Sequence, residues 1–311
     1  MIEHSVNRTT VAALRQALPY LHLYRGKTFV VKTGGEVFED TAALKRLFEQ
    51  IGVLHHLGIR CVMVHGGGPQ LDRLTAALGL EKRSVGGRRI TDPATLACAV
   101  KVFNGELNTR AIALCREIRL PAVGLCGADG NIVVARKRPP RSIDGEVIDF
   151  GEVGDIVTVD PRLVLVQIEA GFLPVVSPLA ADAEGRLLNV NADGIAAALA
   201  CALRADKLIM TTSVPGVLEN PDNDRSLISY TDLGGLEKLI RTGAVTGGML
   251  PKLAAIEQAI RGGVPRVHVI SWRHPDSLLG EIFTNEGSGT LVVEKLDAIR
   301  AELTRETEGD L

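Results

Sequence analysis

Residues 28–35 read Thr-Phe-Val-Val-Lys-Thr-Gly-Gly, a short apolar run followed by a lysine, a threonine and two glycines. An apolar run of this length is typical of a buried β-strand. Glycines after a strand let backbone N–H groups approach an anion closely, and Lys32 adds a compact positive charge. The lysine precedes the glycines, so the stretch differs from the phosphate-binding loop in which the lysine follows them.

A second glycine cluster follows after about one strand-helix-strand unit. Residues 61–69 read Cys-Val-Met-Val-His-Gly-Gly-Gly-Pro, again an apolar run that ends in glycines. Two strands that each end in glycines, one of them carrying Lys32, predict a pocket for a densely anionic ligand. Neither cluster has the Gly-x-Gly-x-x-Gly spacing. The alternative that stays open is a pair of ordinary strand-to-helix turns with a solvated lysine.

The composition narrows the class of protein. The chain has 311 residues, with 35 Lys and Arg against 37 Asp and Glu, and five scattered cysteines. This length accommodates one large α/β domain or two lobes, and the absence of a basic stripe argues against nucleic acid as a partner. The cysteines lack zinc-binding spacing and are expected to be reduced thiols. We expect no signal peptide, and the most apolar helical stretch, residues 195–203, is too short for a membrane span. We therefore expect a cytoplasmic protein without membrane contact.

Strands separated by helical stretches predict an α/β fold in which an open, mainly parallel sheet is sandwiched by helices. The predicted strands are residues 28–32, 61–64, 122–125, 164–168, 174–178, 207–211, 266–270 and 291–293. The predicted helices are residues 41–57, 70–78, 96–116, 193–203, 236–241 and 252–261. Between residues 131 and 159, short β-rich pieces with prolines and glycines predict an inserted antiparallel β-hairpin region.

A further helix is predicted before the first strand. Its apolar residues at helical spacing are Val11, Leu14, Leu18 and Leu21. Pro19 is expected to kink or break this helix. The apolar stripe has no partner in the α/β repeat, and an unused stripe usually packs against another subunit. The alternative is that the helix caps the monomer's own core. At the other end, residues 300–311 are charged and expected to be frayed.

Two segments place polar side chains where a substrate can bind. Residues 86–91 read Gly-Gly-Arg-Arg-Ile-Thr, a glycine-loosened loop that presents two arginines suited to a carboxylate. The alternative is a solvated basic turn. Residues 188–193 read Leu-Asn-Val-Asn-Ala-Asp, with three alternate polar residues at a predicted helix start. A helix cap explains one such residue, but three of them in an apolar run indicate a site.

Two later segments also place polar or charged side chains where a ligand can bind. Residues 211–217 read Thr-Thr-Ser-Val-Pro-Gly-Val, a strand that ends in hydroxyl groups, and residues 246–252 read Thr-Gly-Gly-Met-Leu-Pro-Lys, a glycine loop that opens a helix. A lysine in a first helical turn opposes the helix dipole, so helix stability does not explain Lys252. An anion bound at that helix N-terminus does explain it.

In combination, these motifs resemble the N-acetylglutamate kinases of the amino-acid kinase family. The resembling motifs are Val-Val-Lys-Thr-Gly-Gly (30–35), Val-His-Gly-Gly-Gly-Pro (64–69), Gly-Arg-Arg-Ile-Thr (87–91), Asn-Val-Asn-Ala-Asp (189–193) and Gly-Gly-Met-Leu-Pro-Lys (247–252). The similarity runs from about residue 11 to residue 293. It implies the amino-acid kinase fold with two lobes. It also implies ATP-dependent phosphorylation of the γ-carboxylate of N-acetyl-L-glutamate in arginine biosynthesis, with Mg²⁺ on the ATP phosphates.

The resemblance also implies roles for individual residues. Lys32 and Lys252 would flank the transferred phosphoryl group, and Asp193 would organise them. The residues implied for the acyl amino acid are Gly67, Gly68, Arg89 and Asn189, with Arg89 on the α-carboxylate. The residues implied for the nucleotide are Gly34, Gly35, Thr211, Ser213 and Met249. No residue is assigned to a protein-held metal, and His65 is interpreted as structural.

In arginine-inhibited members of the resembled family, a helix before the first strand joins dimers into a hexameric ring, and arginine binds beside it. The resemblance therefore implies a homo-oligomer, a dimer or a hexamer, with L-arginine as an effector at His268, Glu281 and Gly287. It divides the chain into an oligomerisation helix (1–25), an acyl-amino-acid-binding lobe (26–205), a nucleotide-binding lobe (206–297) and a charged tail (298–311).

Several positions depart from the family pattern. Residues 126–130 read Cys-Gly-Ala-Asp-Gly, without the lysine that is common there. Ser213 replaces a usual aspartate, and Thr33 and Glu36 flank the first glycine pair. The stretch around Lys32 is also similar to the kinase-like domain of N-acetylglutamate synthases, which usually lacks that lysine. Two hypotheses stay open beside the kinase: an arginine-sensing, non-catalytic partner, and a sibling kinase for another acid such as N-acetyl-aminoadipate.

Overall fold

The computed structural model describes residues 8–86, 88–143, 145–245, 248–284 and 287–296. Its centre is an eight-stranded sheet. In spatial order the strands are β14 (Tyr230–Asp232), β16 (Thr290–Val293), β15 (Val267–Ser271), β13 (Lys207–Thr212), β1 (Thr28–Thr33), β2 (Arg60–His65), β10 (Leu173–Ser177) and β5 (Ala122–Cys126). Six neighbouring strands are parallel, and β14 and β16 run antiparallel to them. The predicted mainly parallel sheet is confirmed.

Helices cover both faces of this sheet. They are α1 (Arg8–Tyr24), α2 (Thr41–His56), α3 (Gly68–Ala77), α4 (Pro93–Val100), α5 (Thr109–Glu117), α6 (Arg162–Glu169), α7 (Ala192–Ala202), α8 (Leu233–Arg241), α9 (Met249–Arg261) and α10 (Ser277–Phe283). Alternate residues of a strand point to opposite faces, so the apolar run in β1 serves two cores. Val30 packs in a cluster with α6 to α9, and Phe29 and Val31 pack in a cluster with α2, α5 and α10. No helix in these described residues is long and apolar enough to cross a membrane.

A second sheet includes strands from the region predicted as an insertion and two later strands. Its strands, in spatial order, are β12 (Leu187–Asn189), β11 (Leu179–Ala181), β6 (Val133–Lys137) and β9 (Gly154–Val159). Two small hairpins, β3–β4 (Ser84–Val85 with Arg88–Arg89) and β7–β8 (Arg141–Ile143 with Glu146–Ile148), complete the strands. The antiparallel pairing of β6 with β9 was predicted within residues 131–159, but the extension of this sheet by β11 and β12 was not.

The strand predicted at residues 164–168 is wrong, because this stretch is the centre of α6. Val164 and Ile168 are buried four residues apart, whereas Val166 between them is 56% exposed. That burial follows the helical repeat, with Pro161 directly before the first helical residue. A short apolar run does not distinguish a strand from a buried helix face, which is why the pattern misled.

Two predicted helices also differ in detail. The helix predicted over residues 96–116 is one continuous helical stretch, but a π-helical segment, Lys101–Asn108, joins α4 to α5. The N-terminal helix α1 does not break at Pro19 and continues to Tyr24. The charged tail, residues 298–311, lies outside the described residues, as do Gly87 and the loop residues Thr246 and Gly247.

Candidate active site

A cleft of about 800 Å³ opens where β1, β2 and β13 end. In an α/β sheet this edge, at the carboxyl ends of the parallel strands, is the usual place for a ligand. Every residue that the sequence predicted for substrate or nucleotide lines this one cleft. These residues are Lys32, Gly34, Gly35, Gly67, Gly68, Arg89, Asn189, Asp193, Thr211, Ser213, Met249 and Lys252.

A carboxylate lies between two ammonium groups at the centre of the cleft. The Oδ1 atom of Asp193 is 2.7 Å from Nζ of Lys32 and 3.1 Å from Nζ of Lys252. All three side chains are about nine-tenths buried or more, so water screens these charges little. Two ammonium groups and one carboxylate leave a net positive charge, which suits an anionic ligand.

The local fold explains why these three side chains meet. Lys32 is the penultimate residue of β1, and Asp193 lies in the first turn of α7, which begins with Asn191 as its cap. Asn191 Oδ1 accepts a hydrogen bond of 2.9 Å from the Gly194 N–H, so the capping alternative is correct for this residue. Lys252 enters from the first turns of α9, packed against α7.

The titration behaviour follows from this burial. Burial alone would raise the pKa of Asp193, but the ammonium groups of Lys32 and Lys252 outweigh it and hold the pKa well below its usual range. Burial and the nearby Lys32 ammonium lower the pKa of Lys252 to about 8, although Asp193 opposes the shift. Lys252 can therefore lose its proton in mildly alkaline solution, whereas Asp193 stays ionised.

Guanidinium groups also line the cleft. Arg89 lines it from the β3–β4 hairpin and forms an ion pair with Asp72 of α3, which also binds Lys82 at 2.8 Å. Asn189 donates a hydrogen bond of 3.1 Å to Thr91 Oγ1, next to the same hairpin. A carboxylate that reaches Arg89 therefore shares this guanidinium with Asp72 or displaces it.

Arg138 also lines the cleft and was not predicted from the sequence. Its Nε and Nη2 atoms donate to Asp155 Oδ1 at 2.9 and 2.7 Å, and its guanidinium lies over the Phe150 ring. Arg138 is buried although it belongs to a run of basic residues on β6 and the loop that follows. Such a run predicts a solvated surface, and nothing in the sequence distinguishes this arginine from its basic neighbours.

His65 lies beneath the second glycine cluster and is fully buried. Its Nδ1 lies 3.0 Å from the Gly66 carbonyl oxygen, and Asn108 of the π-helical segment reaches its Nε2 at 3.3 Å. Burial lowers the pKa of His65 to about 4, so the ring is neutral at pH 7. A carbonyl oxygen only accepts, so the proton lies on Nδ1 and Nε2 accepts from Asn108. These contacts agree with the structural interpretation of His65.

The residues predicted for an effector lie apart from the cleft. His268 Nδ1 contacts Glu281 Oε1 at 2.6 Å, and its Nε2 lies 3.0 Å from Nζ of Lys207. Gly287 has a φ of +65°, the conformation that favours glycine, in the loop around this carboxylate. Glu281 is buried rather than solvated.

A second pocket of about 400 Å³ lies beside this cluster. It is lined by Leu23, Tyr24, Lys27, Asp206, Lys207, Pro265, Arg266, Val293, Glu294 and Lys295. Burial lowers the pKa of Lys207 to about 7, and its ammonium lies 5.1 Å from the Tyr24 ring centre. The pocket thus joins the end of α1 to the His268 cluster through Lys207.

Comparison with known proteins shows which proteins this chain resembles. An acetylglutamate kinase of Myxococcus xanthus is 45% identical over 290 residues, which cover 91% of this chain and 94% of that protein. Structures of N-acetylglutamate synthase from Neisseria gonorrhoeae, one with coenzyme A and N-acetyl-glutamate and one with coenzyme A and L-arginine, superpose with a TM-score of 0.80 at 31% and 30% identity. Each comparison covers 92% of this chain, which spans only 63% and 65% of the synthase chains.

The family model for amino acid kinases matches residues 27–271. These residues include β1, β2, β13 and the whole Lys32–Asp193–Lys252 arrangement. The match extends over most of the chain, and the similarity to the kinase from Myxococcus xanthus extends over nearly all of it. This chain therefore belongs to the amino acid kinase family.

Proposed function

We propose that this protein is an ATP-dependent acetylglutamate kinase, which transfers the γ-phosphoryl group of ATP to the γ-carboxylate of N-acetyl-L-glutamate in arginine biosynthesis. The observation that carries this proposal is the Asp193 carboxylate held between the ammonium groups of Lys32 and Lys252, in a cleft that guanidinium groups also line. The similarity to an acetylglutamate kinase supports this choice of substrate.

The chemistry requires charge neutralisation more than proton transfer. A γ-carboxylate has a reference pKa of about 4.3, so it is already a nucleophile at pH 7 and needs no general base. Its oxygen attacks the γ-phosphorus, the new O–P bond forms, and the bond to the β-phosphate oxygen breaks to release ADP. Lys32 and Lys252 would stabilise the charge on the transferring group, while Asp193 holds both ammonium groups in place.

The nucleotide end of the cleft is formed by Gly34, Gly35, Thr211, Ser213 and Met249. The Thr211 hydroxyl is hydrogen-bonded to that of Thr33 at 2.7 Å, which ties the ends of β13 and β1 together. No cluster of three or more metal-ligating side chains occurs in the described part of the chain. Mg²⁺ usually keeps waters and binds substrate phosphates with one or two carboxylates, so we infer that it enters with ATP and neutralises phosphate charge. Glu36 at the cleft edge is a carboxylate available to it.

The acyl amino acid would occupy the end formed by Gly67, Gly68, Arg89 and Asn189. This assigns residues 26–205 to a lobe for the acyl amino acid and residues 206–297 to a lobe for the nucleotide. Lys32 and Lys252 then approach the transferred group from the two lobes.

The unpaired state of all five cysteines, each of which is described, supports a cytoplasmic location.

Substrate-dependent ADP release tests the proposed function. The panel contains N-acetyl-L-glutamate, N-acetyl-L-aminoadipate, L-glutamate, L-aspartate and carbamate, each with ATP and Mg²⁺. We expect the highest kcat/KM with N-acetyl-L-glutamate. Release that is no faster than in the substrate-free blank would contradict a kinase, and a preference for another acid would contradict the substrate.

Replacing Arg89 with alanine is expected to raise KM for N-acetylglutamate about 10- to 100-fold, because hydrogen bonds to a charged group contribute about 1.5–3 kcal/mol. A carboxylate clamp acts on ground and transition states alike, so kcat and KM for ATP should change little. Lys82→Ala is the matched control, since it removes the other partner of Asp72 and leaves Arg89 in place. A change confined to KM for ATP would contradict the assignment of Arg89 to the acyl amino acid.

We also propose that the protein is a homo-oligomer, a dimer or a hexamer, that L-arginine inhibits through His268, Glu281 and Gly287. The pocket between the end of α1 and Lys207 supports this site, and one synthase of similar structure was solved with L-arginine. Leu18 and Leu23 of α1 are 48% and 51% exposed, which supports a contact with another subunit. Tyr20 also packs on Phe283, so part of α1 covers its own subunit.

Deleting residues 1–19 tests this regulation and keeps Tyr20 and Tyr24 in their contacts with Phe283 and Phe29. We expect a smaller oligomer by sedimentation, weaker inhibition by L-arginine and an unchanged kcat, because the deleted turns lie outside the cleft. If the full-length protein sediments as a dimer and millimolar arginine does not slow it, the proposed regulation is wrong.

A further inference from the structure

The two glycine clusters form one continuous surface in the cleft. A Cβ atom on Gly35 would lie 2.8 Å from Cα of Gly67, and one on Gly67 would lie 2.6 Å from the side chains of Leu107 and Phe103, so neither position has room for a side chain. The Gly66 N–H donates a hydrogen bond of 2.8 Å to the Thr33 carbonyl, which ties the second cluster to the end of β1. A displacement of one loop is therefore passed to the other.

A side chain from one loop holds the other. Gln70 lies in the first turn of α3, directly after the second cluster, and is 1% exposed. Its Nε2 group donates to the Gly35 carbonyl at 2.8 Å and to Glu39 Oε1 at 2.5 Å. Glu39 is itself fixed by Arg73 of α3 at 2.9 Å. Gln70 thus reaches from the second glycine cluster, assigned to the acyl amino acid, to the first glycine cluster, assigned to the nucleotide.

Stability does not account for this amide. Gln70 Oε1 is buried and has no hydrogen-bond partner among the described residues. An unsatisfied buried acceptor costs about 1–3 kcal/mol, which offsets what two hydrogen bonds contribute at about 1 kcal/mol each. The remaining effect of the amide is directional, since it fixes the Gly35 carbonyl and with it the neighbouring peptide units.

We propose that Gln70 is a positioning residue that couples the nucleotide half of the site to the acyl-amino-acid half, an inference that rests on the proposed function. Phosphoryl transfer needs the attacking oxygen and the phosphorus about 3–3.5 Å apart and aligned. Gln70 sets the relative position of the two loops on which the reactants lie. Gln70 is not among the residues that line the cleft, so it acts through the Gly35 carbonyl and Glu39, which it contacts from the first turn of α3.

Gln70→Met keeps the size of the side chain and removes the amide. A misplacement of about 1 Å can cost a factor of ~10², so we expect kcat to fall about 10- to 100-fold while both KM values stay within about threefold. Gln50→Met is the matched control. Gln50 is also a buried glutamine, but it accepts from the N–H groups of Leu278 and Leu279 and joins α2 to α10. The Gln50→Met variant should have a lower melting temperature than the parent protein and the same kcat.

A binding measurement separates this proposal from the proposed function. In the parent protein, N-acetylglutamate should change the calorimetric Kd of a non-hydrolysable ATP analogue, and in Gln70→Met this dependence should disappear while each separate Kd is retained. Normal kcat in Gln70→Met, or intact coupling, would overturn the role of Gln70. Absence of turnover in the parent protein would overturn the proposed function instead. If Gln70→Met does not fold, Glu39→Ala on the surface removes one partner of Gln70, and it should lower kcat in the same direction; an unchanged kcat there contradicts the proposal.

Discussion

The Lys252→Ala variant is expected to turn over ~10²–10³-fold more slowly than the parent protein, the usual cost of removing one group that stabilises transition-state charge. KM for N-acetylglutamate should change far less, because the ammonium acts mainly on charge that develops during transfer. Lys32→Ala should behave in the same way. The measurement is steady-state ADP release with each substrate varied in turn.

Stability should change little in these variants, because Asp193 keeps one lysine partner when the other is removed. Lys45→Ala is a suitable control, since it removes a lysine that pairs with Glu117 on the surface, away from the cleft. Near-normal kcat in Lys252→Ala or Lys32→Ala would exclude that lysine from the reaction. An equal loss in Lys45→Ala would indicate a general effect of removing lysine.

Asp193→Asn is expected to lose both stability and activity. The substitution leaves two buried ammonium groups without their carboxylate, and breaking a buried ion pair in this way costs about 3–5 kcal/mol. Because Asp193 raises the pKa of Lys252 against burial, its removal should lower that pKa further below about 8. The lysine then loses its proton at a lower pH than in the parent protein.

Two measurements check Asp193→Asn. Denaturant titration should show a lower free energy of unfolding than for Lys252→Ala. The alkaline limb of the kcat/KM profile, which falls as Lys252 deprotonates, should shift to lower pH. A variant with parental stability and an unshifted alkaline limb would show that Asp193 does not hold the two lysines.

Much of the site could be predicted because it lies in short, contiguous motifs. Lys32, Gly67 and Asp193 each belong to a stretch whose strand or helix start was evident from local pattern. The carboxyl ends of parallel strands meet at one edge, so these stretches were expected together. Of the three polar residues in the stretch 188–193, only Asn191 is a helix cap, so capping does not explain the other two.

The remaining features depend on contacts between distant residues. The sequence places Arg89 in a basic loop but does not reveal that Asp72 faces it. Gln70 lies 35 positions from Gly35, and nothing local indicates that its amide reaches that carbonyl. Residues 164–168 were assigned to a strand because four apolar residues fit either repeat, and only tertiary burial decides between them.

The most direct test of the account is the identity of the product. The protein is incubated with ATP, Mg²⁺, N-acetyl-L-glutamate and hydroxylamine, which captures an acyl phosphate as a stable hydroxamate. We predict ADP and the γ-hydroxamate of N-acetylglutamate in equal amounts, with neither formed by Lys252→Ala above a trace. ADP released without hydroxamate, or no ADP at all, would contradict phosphoryl transfer to the γ-carboxylate.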